Sequence, residues 1–303
     1  MKKIIKRRMK RFVTPEDSHG FQYTVRTLVH MHQQNKALSS RFGTILNNDI
    51  LKHKTSDTIF LLGSGPSINH LGTKEFDIIR QHNSMGFNFW FAHDFIPDLY
   101  MMQIPKKNPD PMINIFQDRS PDYMDVPFIL RGGGLASGWI DFEDVRLRAL
   151  QDLEAYFLNE YPISDKCRID IDLLIEYMNA LGFMQHGNIC NFVPKWRVTL
   201  GLLVSLAYQM GYKNIVLCGM DMQDKGHFWD DPQYSEIRKK YNLPDAEASN
   251  ITRMSDKTFS PNTVPQYIYK LRDWMNLHSG VNFYVAHPET VLYPEIPLYD
   301  FNE

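Results

Sequence analysis

One stretch constrains what this chain can fold into: residues 58–71, TIFLLGSGPSINHL. Residues 59–62 form a short, wholly apolar run, which reads as a strand buried on both faces. Gly63-Ser64-Gly65-Pro66-Ser67 then breaks it. Two glycines permit a tight turn with positive φ and let backbone N–H groups approach a ligand with no Cβ in the way. Pro66 and Ser67 suit the first turn of a following helix. A strand, a glycine turn and a helix N-terminus together offer an anion site, which makes Gly63, Ser64, Gly65 and Ser67 candidate nucleotide-binding residues. A dinucleotide fingerprint is excluded, because Ile68 stands where its third glycine belongs and Asn88 lies where its ribose-binding acid is expected. A Walker loop is excluded because no Gly-Lys-Ser/Thr follows. A tight βα turn without a ligand is the competing reading.

Of the 303 residues, 43% are apolar and 13% aromatic, enough for one large core with a small lid. No apolar run is long enough for a membrane span, and the N-terminus lacks the apolar core of a signal peptide. The three cysteines, Cys167, Cys190 and Cys218, have no metal-like spacing, and a reduced, cytoplasmic setting is expected. A net charge of −2 disfavours nucleic acid as a partner. Residues 1–12, MKKIIKRRMKRF, are the exception, with basic residues interleaved with Ile4, Ile5, Met9 and Phe12 and no acid. Such a segment suits either a solvated tail or peripheral residence on an anionic membrane face.

In chain order, residues 1–55 read as a basic segment and helical lead-in, and residues 56–303 as one Rossmann-like nucleotide-binding domain. Residues 13–57 look helical and polar. Strands are expected at 84–91 and 98–104, ending near Asn88 and Gln103, two amides that would face the same crevice as the glycine loop. A short strand is expected at 112–116, a loop of glycines beside Arg131 at 128–138, and a helix over 141–161. Residues 197–211 are apolar all round and read as a buried helix closed by Gly211. The strand at 215–217 then delivers Asp221 to its carboxyl edge. Gln223 and His227 follow in a polar and aromatic loop, and residues 223–263 read as a lid. A helix at 265–278 and a strand at 281–285, ending at Ala286-His287-Pro288, close the chain.

The order of these parts resembles the bacterial sialyltransferases of the Campylobacter type. The likeness spans about residues 56–290: a strand with G-x-GPS, an Asn on the next strand, Arg197 opening a buried helix, GYKNIVLCGMD, and a closing strand before a proline. It also takes in a wider group of GPS-loop proteins with pterin-pyrophosphokinase-like activity. The resemblance implies an α/β, Rossmann-like, single-domain GT-A variant fold, with a mostly parallel sheet, helices on both faces and a small lid. It further implies a CMP-activated sialic acid or related 2-keto-3-deoxy sugar as donor, no tightly bound cofactor and no metal requirement. By the same resemblance Gly63, Ser64, Gly65 and Ser67 match the nucleotide loop and Asn88 its ribose or phosphate contact. Gln103 stands for a second Asn, and Arg197 and Thr199 match an Arg-x-Thr at the donor-site helix. Gln223 takes the place of one of two phosphate-holding tyrosines, and the lid histidine has no counterpart in Lys257-Thr258-Phe259-Ser260.

His227 is therefore the first candidate for the base, its ordinary pKa near 6.5 suiting that work. His287 is second and Asp221 third. Arg197 would neutralise a carboxylate or phosphate. Asp221 with Asp224 offers only a weak Asp-x-x-Asp set for a divalent cation. The reading is a glycosyltransferase of cell-envelope saccharide or lipopolysaccharide, with a nucleotide-sugar donor and a saccharide or lipid-linked acceptor. Assembly into a homo-oligomer is left open. The alternatives are a pterin or nucleotide pyrophosphokinase using ATP and Mg²⁺, and a silent nucleotide-binding protein.

Overall fold

The computed structural model describes residues 32, 33, 35, 36, 39, 43–105, 108–131, 150–163, 170–190, 192–196, 198–223, 226–245 and 263–302. Ten strands are found among them: β1 (Thr44–Ile45), β2 (Thr58–Leu62), β3 (Asn83–Phe87), β4 (Leu99–Met102), β5 (Phe128–Arg131), β6 (Ala155–Leu158), β7 (Glu160–Ile163), β8 (Val193–Trp196), β9 (Asn214–Cys218) and β10 (Asn282–Val285). The α-helices are α1 (Thr73–Ile79), α2 (Asp110–Arg119), α3 (Ile171–Ala180), α4 (Thr199–Gln209), α5 (Ser235–Tyr241) and α6 (Val264–Ser279). Eight strands form one sheet in the order β1-β6-β5-β4-β3-β2-β9-β10, and β7 pairs with β8 in a small second sheet. Every pairing is parallel.

The pleat explains the two cores. Ile59 and Leu61 of β2 join Met85, Met101, Ile129, Ile215 and Leu217 against α3, α4 and α6. Phe60 and Leu62 point the other way, with Tyr100, Met102, Leu130 and Val216, against α2 and the ends of α1 and α5. A strand buried on both faces must be apolar at every position, which is why β2 carries no polar residue after Thr58. Helix α4 is buried along nearly its whole length between the sheet and α6, and Gly211 at φ +83° follows it. Helix α6 starts on a Thr263 capping box with Pro265 in its first turn and stops at left-handed Gly280.

The sheet is therefore α/β with helices on both faces, as the family resemblance implies. Its strand order also creates a topological switch. From β2 the chain crosses to β3 by α1 on one face, whereas β9 crosses to β10 by α6 on the other. The crevice of such a sheet opens at the carboxyl ends of the two strands between which the order reverses, here β2 and β9.

Several expectations are corrected. Residues 112–116 lie inside α2, not a strand; Met112, Ile113, Ile115 and Phe116 are buried at helical spacing behind Asp110 and Pro111. The helix expected over 141–161 is replaced, in its described part, by β6 and β7, whose aromatic and β-branched residues suit strands. The helical reading of 13–57 does not hold at 44–45, where β1 forms the sheet edge against β6, and Asn48–His53 is 3₁₀ rather than α. The strand expected over 84–91 stops at Phe87 and becomes a 3₁₀ turn, Asn88–Ala92. Part of the irregular stretch 231–263 is helix α5, closed by left-handed Asn242.

Candidate active site

The loop after β2 and the loop after β9 are locked together. Gly63 N–H donates to Cys218 O and Gly65 N–H to Gly219 O, each at 2.8 Å. Asp221, 4% exposed, accepts from the backbone N–H of Ser67 at 2.9 Å and from its hydroxyl. Burial raises the Asp221 pKa, and the two Ser67 hydrogen bonds work against that rise. The expected positive φ is absent here: Gly65 sits at φ −70°, and Gly63 is not left-handed. These glycines are required by close approach instead. A Cβ on Gly65 would lie 2.5 Å from Asp221 Oδ2, and one on Gly63 would lie 2.6 Å from Gly219 O. The following helix is a 3₁₀ turn, Pro66–His70, not an α-helix, and the carboxylate of Asp221 already meets its first turn.

Strained backbone flanks this junction on both sides. Asn88, at the end of β3, and Met222, one residue past Asp221, hold φ of +52° and +54°. A positive φ is tolerable for Asn and unusual for Met. The Tyr100 hydroxyl donates to the carbonyl of Asn88 and fixes the turn. Residues in such backbone states persist where surrounding structure over-determines them, and they concentrate at ligand sites.

Two strands beyond β3, about 10 Å at the usual strand spacing, lies a buried ionic cluster at the end of β5. Arg131, 1% exposed, ends β5. It donates from Nε to Glu160 Oε1 at 2.7 Å and from Nη2 to Glu160 Oε2 at 3.2 Å. Its Nη1 reaches Gln103 Oε1 and Thr199 Oγ1, the latter at 2.9 Å. Lys195 Nζ lies 3.3 Å from Glu160 Oε2. Burial alone would raise the Glu160 pKa, but Arg131 and Lys195 outweigh it and hold the carboxyl below its usual range. Gln103 and Thr199, separated by 96 residues in the chain, thus share one guanidinium.

No protein-family model matches this chain, and no curated protein matches it. Among solved structures it is similar to the sialyltransferase CST-II in complex with trisaccharide acceptor and CMP. That likeness has 14% identity and a TM-score of 0.43, over 81% of this chain and 88% of that one. Monomeric CstII gives 14% identity and a TM-score of 0.41, over 80% and 86%. Similarity at this level transfers no residue role. What the site does has to come from its own geometry.

His227 lies against the glycine loop: the neighbouring Phe228 N–H donates to Ser64 O at 2.9 Å, and Asn69 Nδ2 donates to Phe228 O at 3.0 Å. Its ring stacks on Trp229 at 4.2 Å. Burial lowers its pKa against the opposing charge of Asp230 and a hydrogen bond to the Ser64 backbone, and its Nδ1 is buried without a partner among the described residues. Burial thus favours the neutral form of the His227 ring beside the glycine loop. His287 sits elsewhere, on the outer side of the junction. It stacks on His70 at 4.4 Å, and Glu289 Oε2 is 3.6 Å from His70 Nε2. Gln223 Nε2 donates to the carbonyl of Glu289 at 2.8 Å, so this side chain braces the His287 loop. Arg197 and Asp224, the lid segment 246–262, the glycines 132–134 and residues 1–12 all lie outside the described residues.

The sequence reading missed Glu160 and Lys195 entirely and noted Arg131 only for its glycine neighbours. An Arg ending an apolar strand run, FILR, was the available signal, since a charge there must be paired once buried.

Proposed function

We propose that this chain is a glycosyltransferase moving a CMP-activated acidic sugar, sialic acid or a related 2-keto-3-deoxy acid, onto a cell-envelope saccharide or lipopolysaccharide acceptor. One observation carries the reading. The carboxyl ends of β2, β3, β4, β5 and β9 bring together a glycine loop at the switch point, left-handed Asn88 and the Gln103–Arg131–Thr199 cluster. That cluster contains two cations and one carboxylate, a local balance suited to an anionic donor. Nucleoside recognition falls to Asn88, Gln103 and the Ser64 side of the loop. Gly63 and Gly65 act by keeping the loop close to Asp221, and Gln223 by bracing the outer loop.

His227 is the proposed base. A neutral imidazole is the form that accepts a proton, and the ring nitrogen of His227 that carries the lone pair is assigned to the acceptor hydroxyl. The proton goes from that hydroxyl to the imidazole as the oxygen attacks the anomeric carbon, and CMP leaves with the bond electrons. Arg197 is assigned to charge neutralisation on the donor or the leaving phosphate.

The test is ligand binding in EDTA. CMP present at 100 times its Kd should stabilise the fold by about 2.7 kcal/mol, with no requirement for Mg²⁺. Binding of ATP only with Mg²⁺ would instead favour pyrophosphoryl transfer, and CMP binding without transfer would favour a silent binding protein. The basic residues 1–12 add a second expectation, peripheral residence on an anionic membrane. No helix among the described residues is long and apolar enough to cross one. The intact chain should float with anionic vesicles at low salt and be released at high salt. Failure to float at low salt removes the membrane from the account.

A further inference from the structure

The outer side of the β2–β9 junction holds a group of side chains that the transfer reaction does not use. His70, at the end of the 3₁₀ turn after the glycine loop, and His287 and Glu289, in the loop after β10, place their ligand atoms within 4.8 Å of one another. We propose that these three residues form a binding site for a divalent transition-metal cation of the Zn²⁺ class, at the rim of the crevice.

The donor set fits that class. Two imidazoles and one carboxylate suit Zn²⁺, Co²⁺ or Ni²⁺, whereas Mg²⁺ and Ca²⁺ select oxygen ligands. Tetrahedral ligation at bond lengths near 2.1 Å places ligand atoms about 3.4 Å apart. The separation of His70 Nε2 from Glu289 Oε2 is 3.6 Å. His70 is exposed, so its ring can turn away from the 4.4 Å stack on His287 while displacing little. Glu289 N–H donates to His287 Nδ1 at 3.3 Å, a length just beyond the usual range for such bonds.

The surroundings hold the ligands in place. Gln223 Nε2 grips the carbonyl of Glu289 at 2.8 Å. Thr290 Oγ1 donates to Met220 O at 2.8 Å, and Val291 N–H donates to Asp221 O at 3.2 Å. The loop carrying two ligands is thereby tied to the loop after β9, and the third ligand follows the glycine loop after β2. Such outer contacts orient ligands and tune affinity. Three protein ligands leave one coordination position open, as in catalytic rather than structural sites, and that position would take water or an anionic oxygen. The proposal does not depend on the identity of the sugar donor.

The experiment uses the full chain without a histidine tag, freed of metal by EDTA and dialysed. Co²⁺ is titrated while its visible ligand-field absorption is followed, and Zn²⁺ then competes. One saturable equivalent is expected, with affinity reduced about tenfold or more in His70→Ala and in Glu289→Gln. A His278→Ala control, altering an exposed histidine on α6, should bind as the parent does. Thermal unfolding in EDTA reports whether each variant folds; His70 is exposed, so His70→Ala decides if Glu289→Gln does not. Absence of a saturable Co²⁺ band overturns the site. So does a band that survives His70→Ala unchanged.

Discussion

His93 illustrates how far a single buried side chain can set the acid stability of this fold. Its ring stacks on Trp90 at 4.4 Å, and its Nδ1 accepts the Phe95 N–H at 3.0 Å. Burial pulls its pKa from 6.5 down to about 4, with Asp94 opposing and Arg119 assisting. The unfolded chain therefore binds a proton that the folded chain refuses in this interval. Stability is complete above pH 6.5 and is lost as pH falls from 6.5 towards 4, by about 3 kcal/mol in all. In His93→Asn the side-chain oxygen still accepts from Phe95 but does not titrate. Denaturant unfolding at pH 7 and pH 4 should show that variant losing about 3 kcal/mol less than the parent across the interval; equal losses would remove His93 as the cause. Gly65 makes a related point about reading residues. The glycine was evident in the sequence, but the reason for it was not: its partner, Asp221, lies 156 residues away and becomes its neighbour only through the pairing of β2 with β9.

Elements differ sharply in how openly the sequence declares them. Strand β2 and helix α4 are buried on all sides, so unbroken apolar runs reveal them. Helix α2 was concealed because its apolar residues fall in one short run, 112–116, between prolines; β6 and β7 were concealed behind a leucine and charge pattern of helical period. The ionic cluster joining β5, β7, β8 and α4 was the least legible feature. Its members are drawn from residues 103, 131, 160, 195 and 199, and only the folded sheet assembles them. Its energetics follow from burial. Arg131→Met leaves buried Glu160 with Lys195 as its remaining cation and should cost about 3 kcal/mol, the lower end for breaking a buried pair. The double variant Arg131→Met/Glu160→Leu removes both charges and should cost less than the sum of the single changes. Urea unfolding of all four proteins gives the coupling; strict additivity would mean the pair contributes nothing jointly.

For the molecule as a whole, the parallel sheet and its switch between β2 and β9 determine where chemistry can occur. Helices cover both faces, so the carboxyl edge is where polar groups converge. That edge holds the glycine loop, Asp221, Asn88, Gln103 and Thr199, each placed by the strand or helix end it occupies. The central strands, α4 and most of these positions were legible because they depend on local runs and strand ends. The locking of the two loops, the Arg131 cluster and the His70–His287–Glu289 group were not, because they depend on pairings across the sheet. The central claim, that this edge binds a cytidine nucleotide without a metal, is tested most directly by calorimetric titration of CMP into the full chain in EDTA, beside Gln103→Ala. The account predicts saturable binding of one CMP, weakened about tenfold, or 1.4 kcal/mol, in the variant. Absence of CMP binding, or binding equally tight in Gln103→Ala, would contradict it.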